Sequence, residues 1–146
     1  MKRWKALALL SLAAYLFALL YPGLVPAPGA AWSEHAETLG FDCLIFGWAG
    51  LFVDPIMIVA WSANLIYFPL LFLALKKDVK KLSPGIAVLP FLISLSSFGV
   101  SQMKNNIESG PMVPVHLGAG AYLWMLSFLL LAPVYVMKQK DGGASA

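Results

Sequence analysis

The 146-residue chain is 60% hydrophobic and only 12% charged, where soluble domains carry about 25% charged residues. One soluble core could not bury so much apolar surface, whereas a bilayer takes it up along the outside of each helix. The formal net charge of +3 does not mark a nucleic-acid binder, because the basic residues gather at the ends of apolar runs and form no basic face.

The first apolar run covers about residues 4–22, behind Lys2, Arg3 and Lys5, and stops at Pro22-Gly23. Its basic start, apolar stretch and the small residues Gly29-Ala30-Ala31 are also the layout of a signal peptide. The run is long for that purpose, and Pro22, Pro26 and Pro28 sit awkwardly for cleavage, so a retained first membrane span is expected.

From Cys43 to Leu75 the only charge is Asp54. This stretch is longer than the ~20 residues that one span needs. Asp is a favoured helix cap and Pro a favoured first helical residue, so Asp54-Pro55 divides it. A second span is predicted over residues 55–75, kinked at Pro69. Ahead of it, Phe41, Leu44, Ile45, Trp48, Leu51 and Phe52 recur at helical spacing. Residues 41–53 are therefore expected to form a short interfacial helix on the outer side, with Phe41, Leu44, Trp48 and Phe52 as candidate docking residues.

A third span is predicted over about residues 84–102, with Pro90 inside it, and a fourth over about 117–137, with Pro133 near its end. The small, polar stretch 141–146 is expected to be disordered. The fold class expected is thus an all-α integral membrane protein: one domain over residues 1–146, with four transmembrane helices in a bundle plus the outer helix.

Orientation follows from charge. With the N-terminus inside, nine of the ten Lys/Arg lie on the inner side and only Lys104 lies outside. Both termini are expected to be cytoplasmic, in a cell inner (plasma) membrane. Trp32, Trp48, Tyr122 and Trp124 then fall near the outer interface, and Trp4 and Tyr135 near the inner one.

Four polar residues, Ser11, Asn64, Ser94 and Ser127, count to one depth near the bilayer midplane. Such residues hydrogen-bond across helices, for about 0.6 kcal/mol each. Asn64 is expected to find its partner near Ser94. The sharper alternative is a polar path through the bundle, but no ionisable residue lies at that depth.

Residues with ligand chemistry gather outside: Glu34, His35, Glu37, Asp42, Cys43, Asp54 and His116. Two histidines and a carboxylate can hold Zn²⁺ or Cu²⁺, so His35, His116, Glu34 and Glu37 are weak metal candidates, in a spacing that matches no ligand pattern. Cys43 lacks the cationic neighbours of a reactive thiol. No catalytic constellation and no cofactor motif is present in the sequence. The expectation is a non-enzymatic interaction protein (an accessory subunit, scaffold or immunity-type factor) whose partners are the lipid bilayer and another membrane protein or copies of itself. A small oligomeric channel or carrier is the first alternative, and a membrane enzyme with an outer His/carboxylate site the second.

Overall fold

A computed structural model describes residues 2–28, 38–48, 54–76, 84–104 and 112–143. Three of its helices are long and apolar enough to cross a membrane: α1 (Arg3–Leu20), α3 (Pro55–Leu75) and α5, which runs Ala119–Gly143. Between α1 and α3 come strand β1 (Pro22–Pro26), strand β2 (Thr38–Leu39) and the short helix α2 (Gly40–Phe46).

The start of α3 has a local cause. Asp54 accepts a hydrogen bond from the Ile56 amide at 2.9 Å, and Pro55 needs no partner for a missing N–H. The expected outer helix over 41–53 is described only as far as Trp48, and residues 49–53 lie outside the described residues.

Between α3 and α5, residues Pro84–Val88 form a 3-10 turn, Leu89–Ser94 form α4, and Leu95–Gly99 return to 3-10 geometry. Pro90 removes one helical donor. Ser94, Ser96 and Ser97 each donate to the carbonyl three residues back, at 2.6, 2.8 and 2.7 Å, competing with regular α-helical bonding. The helix expected over 84–102 therefore ends at Gly99, and the chain then extends into β3 (Gln102–Lys104).

An all-α fold is corrected by a small antiparallel sheet, ordered β2-β1-β4-β3, in which β4 is Met112–Leu117. In β4, Val113 and Val115 are buried while Met112, Pro114 and His116 are exposed, the two-residue alternation of a half-buried strand. β1 pairs with β4 through Leu24 and Leu117, and β3 pairs with β4 through Met103 and Val113. Leu117 thus belongs to a strand, and the last helix starts at Ala119. That helix continues through Asp141 to Gly143, so the beginning of the supposedly disordered tail is helical.

The termini of α1, α3 and α5 show how the helices run. Gly120, at the start of α5, lies against the Tyr21 and Ala18 carbonyls at the end of α1. At the opposite end, Lys138 stands 4.7 Å from the centre of the Trp4 ring and donates to the Ala74 carbonyl at 2.7 Å and to the Lys76 carbonyl. A cation there satisfies the last carbonyls of α3 and the negative end of its dipole. Hence α1 runs antiparallel to α3 and α5. The sheet and α2 sit at one end, and Trp4, Lys76 and Lys138 at the other.

Aromatic rings fill the middle. Tyr15 stacks on Tyr67 with centroids 5.2 Å apart, and Phe128 lies 4.8 Å from Tyr67. Leu131, Val134 and Tyr135 continue this core along α5, and Leu70, Leu71 and Ala74 continue it along α3.

Candidate functional site

The helix ends nearest the sheet, together with α2 and the sheet itself, line a half-open cavity of about 100 Å³. Its walls come from Tyr15 and Ala18 of α1, Ala60, Trp61 and Asn64 of α3, and Ala121 and Trp124 of α5. Cys43, Leu44 and Ser97 also line it, and among the described residues no charged side chain does.

Asn64 is the hub below this cavity, only 4% exposed. Its Oδ1 accepts from the Tyr15 hydroxyl and from the Trp124 indole N–H, both at 2.9 Å. Its Nδ2 donates to the Trp61 carbonyl at 3.0 Å. Two donors converging on one atom identify it as the oxygen, which fixes the orientation of the amide. Asn64 therefore joins α1 to α5. The expected partner near Ser94 is not used: Asn64 bonds to Tyr15, Trp61 and Trp124, while the Ser94 hydroxyl donates to the Phe91 carbonyl of its own helix.

Ser11 and Ser127 do meet. Ser11 Oγ donates to the Ser127 carbonyl at 2.7 Å, leaving the Tyr67 hydroxyl to donate to Ser11 at 2.9 Å. Ser127 Oγ returns to the Trp124 carbonyl at 2.6 Å. Ser11, Asn64 and Ser127 thus belong to one layer with Tyr15, Tyr67 and Trp124. The tyrosines and the tryptophan were not legible as members of this layer, since aromatic residues in a membrane sequence read first as interface anchors.

Helix α2 is held from beneath. The Trp61 indole N–H donates to the Leu44 carbonyl at 2.8 Å. Gly47 lies face to face with the Trp61 ring, where a Cβ would collide with it. The Gly40 amide donates to the Tyr21 carbonyl at 2.9 Å. Phe41 and Trp48 remain 51% and 53% exposed, and Ile45 and Phe46 are also exposed. Leu44, expected on the same open face, instead packs toward the core. Phe52, the fourth expected docking residue, lies outside the described residues.

Of the weak metal candidates, Glu34, His35 and Glu37 lie outside the described residues. His116 is exposed on β4, paired in register with Val25. Among the described residues no cluster of three His, Cys, Asp or Glu side chains could hold a metal ion.

The Cys43 thiol packs under α2, where a Cβ on Gly23 would lie 2.9 Å from its sulfur. Burial, with Asp42 adding a smaller push, raises its pKa from an ordinary 9.0 to about 12. The thiol is therefore protonated and unreactive at neutral pH. Maleimide labelling of Cys43 in mild detergent is expected to be slow at pH 7 and to climb with each pH unit toward about 12. A rate that levels off near pH 9 would put the sulfur in water instead.

No family model, no curated protein and no solved structure matches this chain.

Proposed function

We propose that this chain is a four-pass integral protein of a cell inner membrane, with both termini cytoplasmic, that acts by docking to another membrane protein and catalyses no reaction. Four passes are supported by the geometry of residues 84–99. Ten of these residues have 3-10 geometry and six are α-helical. With rises of about 2.0 and 1.5 Å per residue they reach about 29 Å, close to the ~30 Å hydrocarbon core. A segment too short as a pure α-helix is thus long enough when tightened. The sidedness rests on charge: Lys76 and Lys138 share one end with Trp4, and the positive-inside bias makes that end cytoplasmic. Reporter fusions after Lys81 and after Lys140 are expected to read cytoplasmic, and one after Glu37 external. A C-terminal fusion reading external would remove the four-pass arrangement.

The observation that carries the docking function is a contrast over α2 and the 3-10 residues Gly47 and Trp48 that follow it. The backbone is anchored to α1 and α3, yet Phe41, Ile45 and Phe46 of α2 and the following Trp48 are left uncovered. A pre-ordered apolar helix presents its side chains without the entropy cost of folding on contact. Large aromatic residues are the usual anchors of such interfaces. Trp48→Ala is expected to reduce copurification of the bound membrane protein from mild detergent at least tenfold while leaving insertion unchanged, since central anchors contribute about 2 kcal/mol or more. Equal recovery with wild type and variant would count against α2 as the docking element.

A channel or carrier finds less support. Tyr67, Phe128, Leu131 and Val134 are fully enclosed between the helices, so a single copy has packed side chains along its axis. Conduction would then require several copies around a shared opening. An outer-face enzyme finds no positive observation in His116, whose side chain is exposed on its strand.

A further inference from the structure

We infer that the cavity beneath α2 is a binding site for a small neutral carbonyl compound, held by the spare amide proton of Asn64. The inference is independent of the docking function of α2 and rests on an inventory of hydrogen-bond donors. Among the described residues, the side-chain donors around the cavity are the Tyr15 hydroxyl, the Trp61 and Trp124 indoles, the Ser97 hydroxyl, the Cys43 thiol and the Asn64 amide. The Tyr15 and Trp124 protons both go to Asn64 Oδ1. The Trp61 proton goes to the Leu44 carbonyl and the Ser97 proton to the Ser94 carbonyl. A thiol is a weak donor.

Asn64 Nδ2 carries two protons, and the Trp61 carbonyl takes one. Among the described residues the second has no acceptor. A buried amide proton left without an acceptor is unfavourable, and a molecule that supplies the acceptor relieves that cost. Here the donor belongs to a residue nine-tenths buried that forms part of the cavity wall.

The remaining walls set the other features of the ligand. With no charged side chain in the lining among the described residues, an ionised ligand would lose its hydration without compensation. Ala18, Leu24, Ala60, Val100 and Ala121 call for an apolar body. The volume of about 100 Å³ is below the roughly 150 Å³ of a cavity that holds benzene, so the enclosed part is no larger than a small ring. These conditions describe a ketone or ester oxygen on a compact hydrocarbon. That group can belong to a free small molecule, or it can form the leading end of a longer hydrophobe dissolved in the bilayer with its tail leaving by the cavity mouth.

The test uses the full chain in mild detergent and cyclobutanone labelled with ¹³C at the carbonyl. A saturable shift of the carbonyl resonance is expected. Methylenecyclobutane, which has the same shape but no oxygen, is expected to displace it about two- to tenfold less well than unlabelled ketone, the ratio for one net hydrogen bond. Ala60→Leu fills the cavity from α3 and should abolish the shift while keeping the melting temperature of wild type. If that variant does not fold, Ala121→Leu fills the cavity from α5 and should do the same. At equal micellar concentration, a 3-decyl derivative of the ketone that binds at least tenfold tighter identifies the bilayer-dissolved source, and equal binding identifies the free molecule. The assignment is overturned by the absence of a saturable shift, by equal displacement with hydrocarbon and ketone, or by unchanged binding in a folded cavity-filled variant.

Discussion

Asn64→Leu is expected to lower stability by roughly 2–4 kcal/mol, because it leaves the buried Tyr15 hydroxyl and the Trp124 indole without an acceptor. Isolated interhelical hydrogen bonds in membranes average about 0.6 kcal/mol, since a separated helix finds other partners. Here one oxygen serves donors from α1 and α5 at once, and both donor rings pack against Phe128. Ser94→Ala supplies the contrast. It removes only a bond to the Phe91 carbonyl of the same helix and should cost a few tenths of a kcal/mol. Reversible unfolding in mixed micelles reads both. A loss for Asn64→Leu no greater than about 0.6 kcal/mol would mean that its amide is not the hub of the helix contacts.

Gly40→Ala is expected to cost about 1–3 kcal/mol, the usual range for forcing extra volume into a packed site. A Cβ at residue 40 would run into the Ala18 carbonyl oxygen, 2.9 Å from the Ala18 carbonyl carbon and 3.1 Å from the Leu19 Cα. All three are backbone atoms of α1 and cannot rotate away. The only relief is for α2 to lift, which breaks the bond from the Gly40 amide to Tyr21 and uncovers Cys43. Faster maleimide labelling of Cys43 in this variant is therefore expected together with the lower stability. Gly23→Ala should be milder, since its nearest contact is the Cys43 sulfur at 2.9 Å, a side-chain atom that can turn. Unchanged labelling in Gly40→Ala would show that α2 is not seated on α1 through this glycine.

The long helices were legible because hydropathy and length act within one segment. The runs behind Lys2-Arg3 and after Asp54-Pro55, and the one that ends at Lys138, each exceed what a soluble core needs. The sheet was less legible for two reasons. Its central pairing joins Leu24 to Leu117, which no local pattern reports, and β1 begins and ends with proline, a residue that weakens any strand assignment. The alternation in Met112–Leu117 was open to reading, but Pro114 and the approach of the last helix obscured it. Counting depth along each helix put Ser11, Asn64 and Ser127 at a common level, yet it could not say which helices are neighbours. That is why Ser94 was paired with Asn64 in place of Tyr15 and Trp124. The cavity could not be read from the sequence at all, because it is the space left where four segments distant in the chain fail to close.

The contacts of α1 also set the order of events during synthesis. Ser11 bonds to Ser127, 116 residues later, and β1 pairs with a strand that directly precedes α5. Among the described helices, α1 therefore takes its principal partner from the one made latest. Until β4 has left the ribosome β1 has no neighbour in it, and until α5 follows the Ser11 hydroxyl has no Ser127 carbonyl. A nascent chain released before residue 112 would carry an unsatisfied helix face and an open strand edge, the features that quality-control proteases and neighbouring chains engage.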